Sequence, residues 1–263
     1  MRIVTLDQGT NSWLEWRRKG VGASEVPVLM GESDFSTPLE IYKEKIGITK
    51  PQESNWAMMR GTENEPKVRA LYELRYDKDM PGMCAEHDEF PFFRCSFDGY
   101  NITDRKILEI KYPGKEKFDM AKAGQVPLCY RGQVQDQLFI ANALDLDFCC
   151  YNGVDIAVTN VKPDISYQSR MVEVVTEFWL NHVEKKIPPA LTDRDYKEVT
   201  HPHAKLLFAE WKEIKISEPK SKELERIKQE LTRFLDHPRI TCEGVKVVRN
   251  VKGVHTFSLE GNR

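Results

Sequence analysis

The sequence predicts an α/β fold with a C-terminal helix and β-hairpin appendage. Helical patterns alternate with runs of aromatic and β-branched residues between positions 24 and 183. Two turn signals, at 101–104 and at Asn152-Gly153, each join a pair of strand-like runs. After Pro188-Pro189 the chain turns polar, then gives a charged helix and a last hairpin. A core over 1–190 and an extension over 191–263 are therefore expected.

The first helical signal is 24–30, after Gly20 and Gly22. A second covers 37–47, where Thr37 and Glu40 make a capping box, Pro38 suits the first helical position and Gly47 the end. A third spans 55–76, with Val68, Leu71, Tyr72 and Leu74 as its apolar face; Pro66 must kink it or mark its true start. Strands follow at 92–100 and 106–112, read as a hairpin. A helix over 127–143, a strand pair at 148–151 and 154–158, and a long amphipathic helix over 165–183 complete the core. Residues 190–203 read as a linker. Beyond it, 217–235 is a helix striped by Leu224, Ile227, Leu231 and Phe234, and 240–248 with 254–259 reads as a hairpin.

The 263 residues carry 39 Lys+Arg and 41 Asp+Glu, a net charge of −2, with 40% hydrophobic and 30% charged residues. That balance fits a folded domain and excludes a polycation that coats nucleic acid indiscriminately, while leaving room for a local basic channel. No apolar run approaches the roughly 18 residues of a membrane span, and the N-terminus has no signal-like stretch. No membrane association and a cytoplasmic location are expected. None of the six cysteines sits at C-x-x-C spacing, which argues against a zinc knuckle or an iron–sulfur staple.

The sharpest chemical pattern is Ser96-Phe97-Asp98-Gly99 followed by Glu109-Ile110-Lys111. In a strand, Glu109 and Lys111 share one face, and a hairpin would bring Asp98 close. Adjacent carboxylates need a cation between them, and oxygen donors suit a hard ion, Mg²⁺ or Mn²⁺. Eight acidic-x-Lys triplets occur in the chain, so spacing alone decides nothing. The apolar strand context and the preceding Asp98 set 109–111 apart. Glu65 is a third candidate acid, with Glu63 competing for the role. Arg17 and Arg18 precede Gly20-Val21-Gly22-Ala23-Ser24, a pattern that fits either an anion site at a helix start or an ordinary cap. Gln133 and Gln137 lie one turn apart with Tyr130 and need partners, either backbone groups or a bound phosphate.

Four blocks occur in order: Trp13-x-x-x-Arg17 with Gly22-Ala23-Ser24-Glu25-Val26, Gly61-x-x-x-Glu65 with Arg69, Ser96-x-Asp98-Gly99 with Glu109-x-Lys111, and Tyr130-x-x-Gln133-x-Gln135. In these the chain resembles the lambda-exonuclease-like (YqaJ-type) viral recombinase family, a branch of the PD-(D/E)-x-K nucleases. The resemblance implies a restriction-endonuclease-like core, a central mixed β-sheet flanked by helices. It implies that Asp98, Glu109 and the Ile110 carbonyl hold Mg²⁺, or Mn²⁺ in its place, with Glu65 serving a second metal position. Lys111 would orient or deprotonate the attacking water. Arg17, Ser24, Ser96 and Gln133 would hold the 5′-phosphate of a DNA end. The activity implied is 5′-to-3′ digestion of one strand of double-stranded DNA, leaving 3′ overhangs for phage-type recombination. The implied partners are a single-strand annealing protein and further copies of the chain in a trimeric ring, in a bacterial host cytoplasm if phage-encoded. Phe97 replaces the proline of the PD motif, and 191–263 has no counterpart in the shortest members. A restriction-like or structure-specific endonuclease, or a non-catalytic DNA-binding module, are the competing expectations.

Overall fold

The computed structural model describes residues 1–50, 56–219 and 221–261, leaving out the side chain of 57. The chain divides into two compact units, Met1–Pro189 and Ala190–Arg263.

The first unit begins with β1 (Arg2–Val4) and α1 (Asn11–Arg18), a helix the sequence reading missed. Its signals are local: the Thr10 hydroxyl accepts the Trp13 N–H at 3.3 Å, and Arg17 and Arg18 close its last turn. The two-residue β2 (Val21–Gly22) leads into a 3₁₀ turn (Ala23–Glu25) and the single-turn α2 (Val26–Leu29). Next, α3 (Pro38–Lys45) carries the expected capping box: the Thr37 hydroxyl accepts from Glu40 N at 3.2 Å, and the Glu40 carboxylate accepts from Thr37 N at 3.0 Å.

The described part of α4 (Trp56–Tyr76) runs through Pro66 without ending there; the expected start at 55 lies outside the described residues. Its expected apolar face is half right. Val68 and Tyr72, four apart, are buried against Met80, Leu108 and Ile110, whereas Leu71 is exposed and Leu74 is 85% exposed.

Then come β3 (Met83–Glu86), β4 (Phe93–Phe97), β5 (Gly99–Asn101), β6 (Lys106–Lys111), α5 (Lys115–Lys122), α6 (Leu128–Ala141), β7 (Asp145–Tyr151), β8 (Ile156–Val161) and α7 (Ile165–Glu177), which ends in a π-helical turn (Phe178–Val183). Both sheets of this unit are mixed. One has the order β1-β3-β4-β2, with β2 and β4 parallel; the other has the order β5-β6-β7-β8, with β6 and β7 parallel and its outer pairs antiparallel.

The single strand expected over 92–100 is therefore two strands in two sheets, broken at Asp98. Gly99, just after the break, is closely packed. A Cβ there would lie 2.8 Å from Met80 Cβ, 3.0 Å from the Met80 carbonyl and 3.1 Å from Leu108 Cβ. Gly99→Ala is expected to destabilise the protein by about 1–3 kcal/mol through this overpacking, read as a lower urea midpoint at unchanged slope.

The second unit is fuller than a linker, helix and hairpin. After a 3₁₀ turn (Asp193–Asp195), β9 (Lys197–Glu198) pairs in parallel with β10 (Arg239–Cys242). Then α8 (Pro202–Ser217) buries Ala204, Leu207, Phe208 and Trp211, a helical stripe inside a segment given no element from sequence. Next, α9 (Glu223–Leu231) buries Leu224, Ile227 and Leu231, while Phe234 is half-buried in the 3₁₀ turn beyond it; residue 220, within the expected helix, lies outside the described residues. The expected strand 240–248 is two strands, β10 and β11 (Val245–Arg249), because Glu243 and Gly244 turn the chain at φ 51° and 75°. The sheet is edged by β12 (His255–Leu259) on one side and β9 on the other. No helix among the described residues is long and apolar enough to cross a membrane.

Candidate active site

The centre of the site is Glu109 on β6. It is 1% exposed, and its carboxylate is held from three directions. Lys111, two residues on along the strand, forms an ion pair with it. Gln133 Nε2 donates to Oε1 at 2.6 Å and Gln137 Nε2 to Oε2 at 2.5 Å. This settles the partners of the two glutamines, which face a carboxylate from one side of α6. The Gln133 side chain, expected at a DNA phosphate, is thus engaged with Glu109.

Asp98, at the break between β4 and β5, turns its carboxylate onto β6, where Oδ2 accepts the Ile110 N–H at 2.7 Å. Burial, and then the charge of Glu109, push the Asp98 carboxyl well above the usual range. Lys111 responds the other way: burial pulls its ammonium down, but the charges of Glu109 and Asp98 more than offset that and raise it. Its Nζ also lies 5.4 Å from the centre of the Tyr130 ring.

Glu65 is half-buried on α4 and paired with Arg69 at 2.5 Å, one turn on, whereas Glu63 is exposed. Burial raises the Glu65 carboxyl; Arg69 opposes that shift and Glu109 adds to it. Glu65 thus lies within electrostatic reach of the Asp98–Glu109 pair but turns to Arg69. Among the described residues no three His, Cys, Asp or Glu side chains close into a ready-made metal cage. What the structure does assemble is a pair of facing carboxylates beside the main chain at Ile110. These are hard oxygen donors whose mutual repulsion Lys111 does not fully cancel, and they fit Mg²⁺ or Mn²⁺.

A second cluster lies around Trp13. The Arg17 guanidinium stacks over the indole at 4.9 Å and donates to the Ser24 hydroxyl at 3.1 Å. Trp13 Nε1 donates to the Ser96 hydroxyl at 2.9 Å, on the strand that leads into Asp98. Trp13 was given no role by sequence reasoning, and Gln137 only a backbone or phosphate partner. Trp13 joins Arg17 and Ser24 to Ser96, and Gln137 gives Glu109 its second amide. Of the two readings left open for residues 20–24, an anion site at a helix start or an ordinary cap, the local geometry follows the cap. The 24–30 segment is a 3₁₀ turn and one helical turn, and the Gly22 N–H is taken by Glu25 Oε2 at 2.7 Å. Side chains carry the polar character instead. Trp13, Arg17, Ser24, Glu65 and Arg69 line a cavity of about 850 Å³.

Between the two glutamines on α6 lies Asp136, 0% exposed, with neither carboxylate oxygen hydrogen-bonded. Burial, and then the charge of Glu25, push its carboxyl well above the usual range. The folded state therefore keeps a proton that the unfolded chain loses above about pH 4, so folding becomes less favourable as pH rises from there towards the folded pKa. Asp136→Asn is expected to flatten this slope in melting temperatures measured from pH 4 to pH 8.

The YqaJ protein of Bacillus subtilis (strain 168), itself uncharacterized, is 26% identical over 233 residues, which cover 86% of this chain and 72% of that one. The alkaline exonuclease LHK-Exo of Laribacter hongkongensis superposes with a TM-score of 0.59 at 27% identity, covering 68% of this chain and 94% of the enzyme. Its complex with dAMP gives the same TM-score at 28% identity over the same shares. The restriction-endonuclease-like fold expected from the sequence is thus borne out. The family model of the YqaJ-like viral recombinase domain matches residues 12–144, half of the chain, and the chain belongs to that family.

Proposed function

We propose that this protein is a divalent-cation-dependent exonuclease that digests one strand of double-stranded DNA from its 5′ end and leaves 3′ overhangs. The observation that carries the reading is the turn of Asp98 onto β6 beside Glu109 and Lys111, with the Arg17–Ser24 cluster on the strand side that leads to it. The likeness to an alkaline exonuclease supports it.

Asp98, Glu109 and the Ile110 carbonyl would hold Mg²⁺ or Mn²⁺, with Glu65 available for a second position. When bound, the ion would supply a nucleophilic water at neutral pH and neutralise charge on the scissile phosphate. Gln133 and Gln137 fix the rotamer of Glu109. Lys111 donates hydrogen bonds to the attacking water and to a phosphate oxygen, a role that suits its ion-paired ammonium. Arg17 and Ser24 hold the terminal 5′-phosphate and so set the register from which cutting starts. Ser96, tied up by Trp13, positions that ring. Such backbone contacts carry no base information, so digestion is independent of sequence.

The product suits recombination by single-strand annealing, with an annealing protein as partner and a ring of like subunits around the DNA. A DNA substrate suits a cytoplasmic location, that of a bacterial host if the protein is phage-encoded.

Digestion of linear duplexes labelled at either end, with Mg²⁺, tests the reading. Loss of the 5′ label first, and survival of a closed circular duplex, are expected. Cutting of the circle would favour an endonuclease, and no digestion of either would favour a binding module. Arg17→Ala is expected to lower the preference for 5′-phosphorylated over 5′-hydroxyl ends by about tenfold, the loss of one charge-assisted contact, in initial rates on the two substrates.

A further inference from the structure

Lys45, at the end of α3, is a buried cation outside the groups assigned above. Its side chain is 1% exposed. Its ammonium donates to the Glu25 carboxylate at 2.7 Å and to the main-chain carbonyl of Arg17 at 3.2 Å. It therefore ties together the end of α1 and the turn that presents Ser24, the two segments that make the phosphate cluster.

The geometry around Gly22 shows why a cation is needed there. A Cβ built on Gly22 would lie 3.1 Å from Arg17 Nη2 and 3.6 Å from Glu25 Oε2. The guanidinium and the carboxylate thus flank the same point of the backbone. A carboxylate so placed is the natural partner of that arginine, and pairing them would cancel the charge meant for a phosphate. Among the described residues Arg17 nevertheless forms no ion pair; it donates to the neutral Ser24 hydroxyl. Glu25 is saturated instead by Lys45 and by the Gly22 N–H. Removing one member of such a buried pair leaves the other charge uncompensated.

We propose that Lys45 is a positioning residue that keeps Glu25 off Arg17, so that the guanidinium stays available for a terminal phosphate and the site prefers 5′-phosphorylated ends. The inference rests on the proposed reading of Arg17 and Ser24 as the 5′-phosphate site. Lys45 does not touch DNA. Its effect is confined to the choice between ends, because it contacts neither β6 nor Asp98.

The test is binding of fluorescent duplexes with 5′-phosphate or 5′-hydroxyl ends, measured in EDTA so that neither metal nor digestion enters. The parent protein is expected to prefer the phosphate by about tenfold. Lys45→Met should lose most of that ratio, because Glu25 turns to Arg17. The double variant Lys45→Met with Glu25→Gln should regain it, since residue 25 then carries no charge to capture the arginine, while Glu44, whose carboxyl also feels the Arg17 charge, is the same in every variant. A merely structural lysine would give a double variant no better than the single one. In Mg²⁺, Lys45→Met should raise KM for phosphorylated ends and leave kcat. A Lys45→Met protein that keeps the parent ratio overturns the inference, as does a double variant that fails to recover it. If Lys45→Met does not fold, Lys45→Gln, which keeps a hydrogen-bond donor but no charge, takes its place and is read the same way: loss of the ratio supports the clamp and the parent ratio overturns it. A parent that binds both ends equally removes the phosphate site itself, and is seen before any variant is made.

Discussion

Glu109→Gln is expected to lower DNA digestion by at least about 10²-fold while leaving the fold in place. The substitution keeps the shape and volume of the side chain. It also keeps one acceptor oxygen for the amide of Gln133 or Gln137, and the remaining glutamine amide can flip to face the new NH₂. What disappears is the negative charge that, with Asp98, would hold the proposed cation. Glu109→Ala is a poorer probe, since it would leave Lys111, Gln133 and Gln137 all facing an empty space in a buried region. A circular dichroism spectrum like the parent's and a urea transition that stays cooperative, its midpoint lowered only by the loss of the Lys111 counter-charge, beside lost digestion of a linear duplex, are the expected results. Digestion at near-parent rates would contradict the assignment.

Lys111→Met is expected to have a kinetic effect of similar size, about 10²–10⁴-fold, with a different effect on stability. Here the buried Glu109 carboxylate loses its counter-charge, which costs about 3 kcal/mol or less given the residual solvent contact of Lys111, whose side chain is 22% exposed. The double variant Glu109→Gln with Lys111→Met should recover most of that stability, because neither charge remains, yet should stay inactive. Melting temperatures and rates over this cycle separate structural from chemical roles. If Lys111→Met digests normally, the lysine is only the structural partner of Glu109.

Much of this was legible in the sequence because short-range rules govern it. The Thr37–Glu40 box, the Asn152-Gly153 hairpin and the helix over Gln133 and Gln137 follow from neighbours three or four positions apart. The pattern Asp98, Glu109, Lys111 was legible as types and spacing, and the structure places these three side chains together. The illegible parts are set at a distance. The close approach of Met80 and Leu108 to Gly99, just after the break at Asp98, is one that no local pattern reveals. The hydrogen bond from Gln133 to Glu109 joins residues 24 positions apart, so the resemblance could offer Gln133 as a phosphate contact but no local pattern showed that it also faces a buried carboxylate. The helix Pro202–Ser217 did have a local signal, with Pro202 at its first position and Leu207, Phe208 and Trp211 on one face, but it was masked by the polar stretch before it.

The central claim is that Asp98 and Glu109 together hold a divalent cation, and the most direct measurement is anomalous diffraction from crystals grown with Mn²⁺. A peak bridging Asp98 Oδ and Glu109 Oε at about 2.0–2.3 Å is the expected result. A protein that binds no Mn²⁺ at saturating concentration, or binds it away from both carboxylates, would contradict the account.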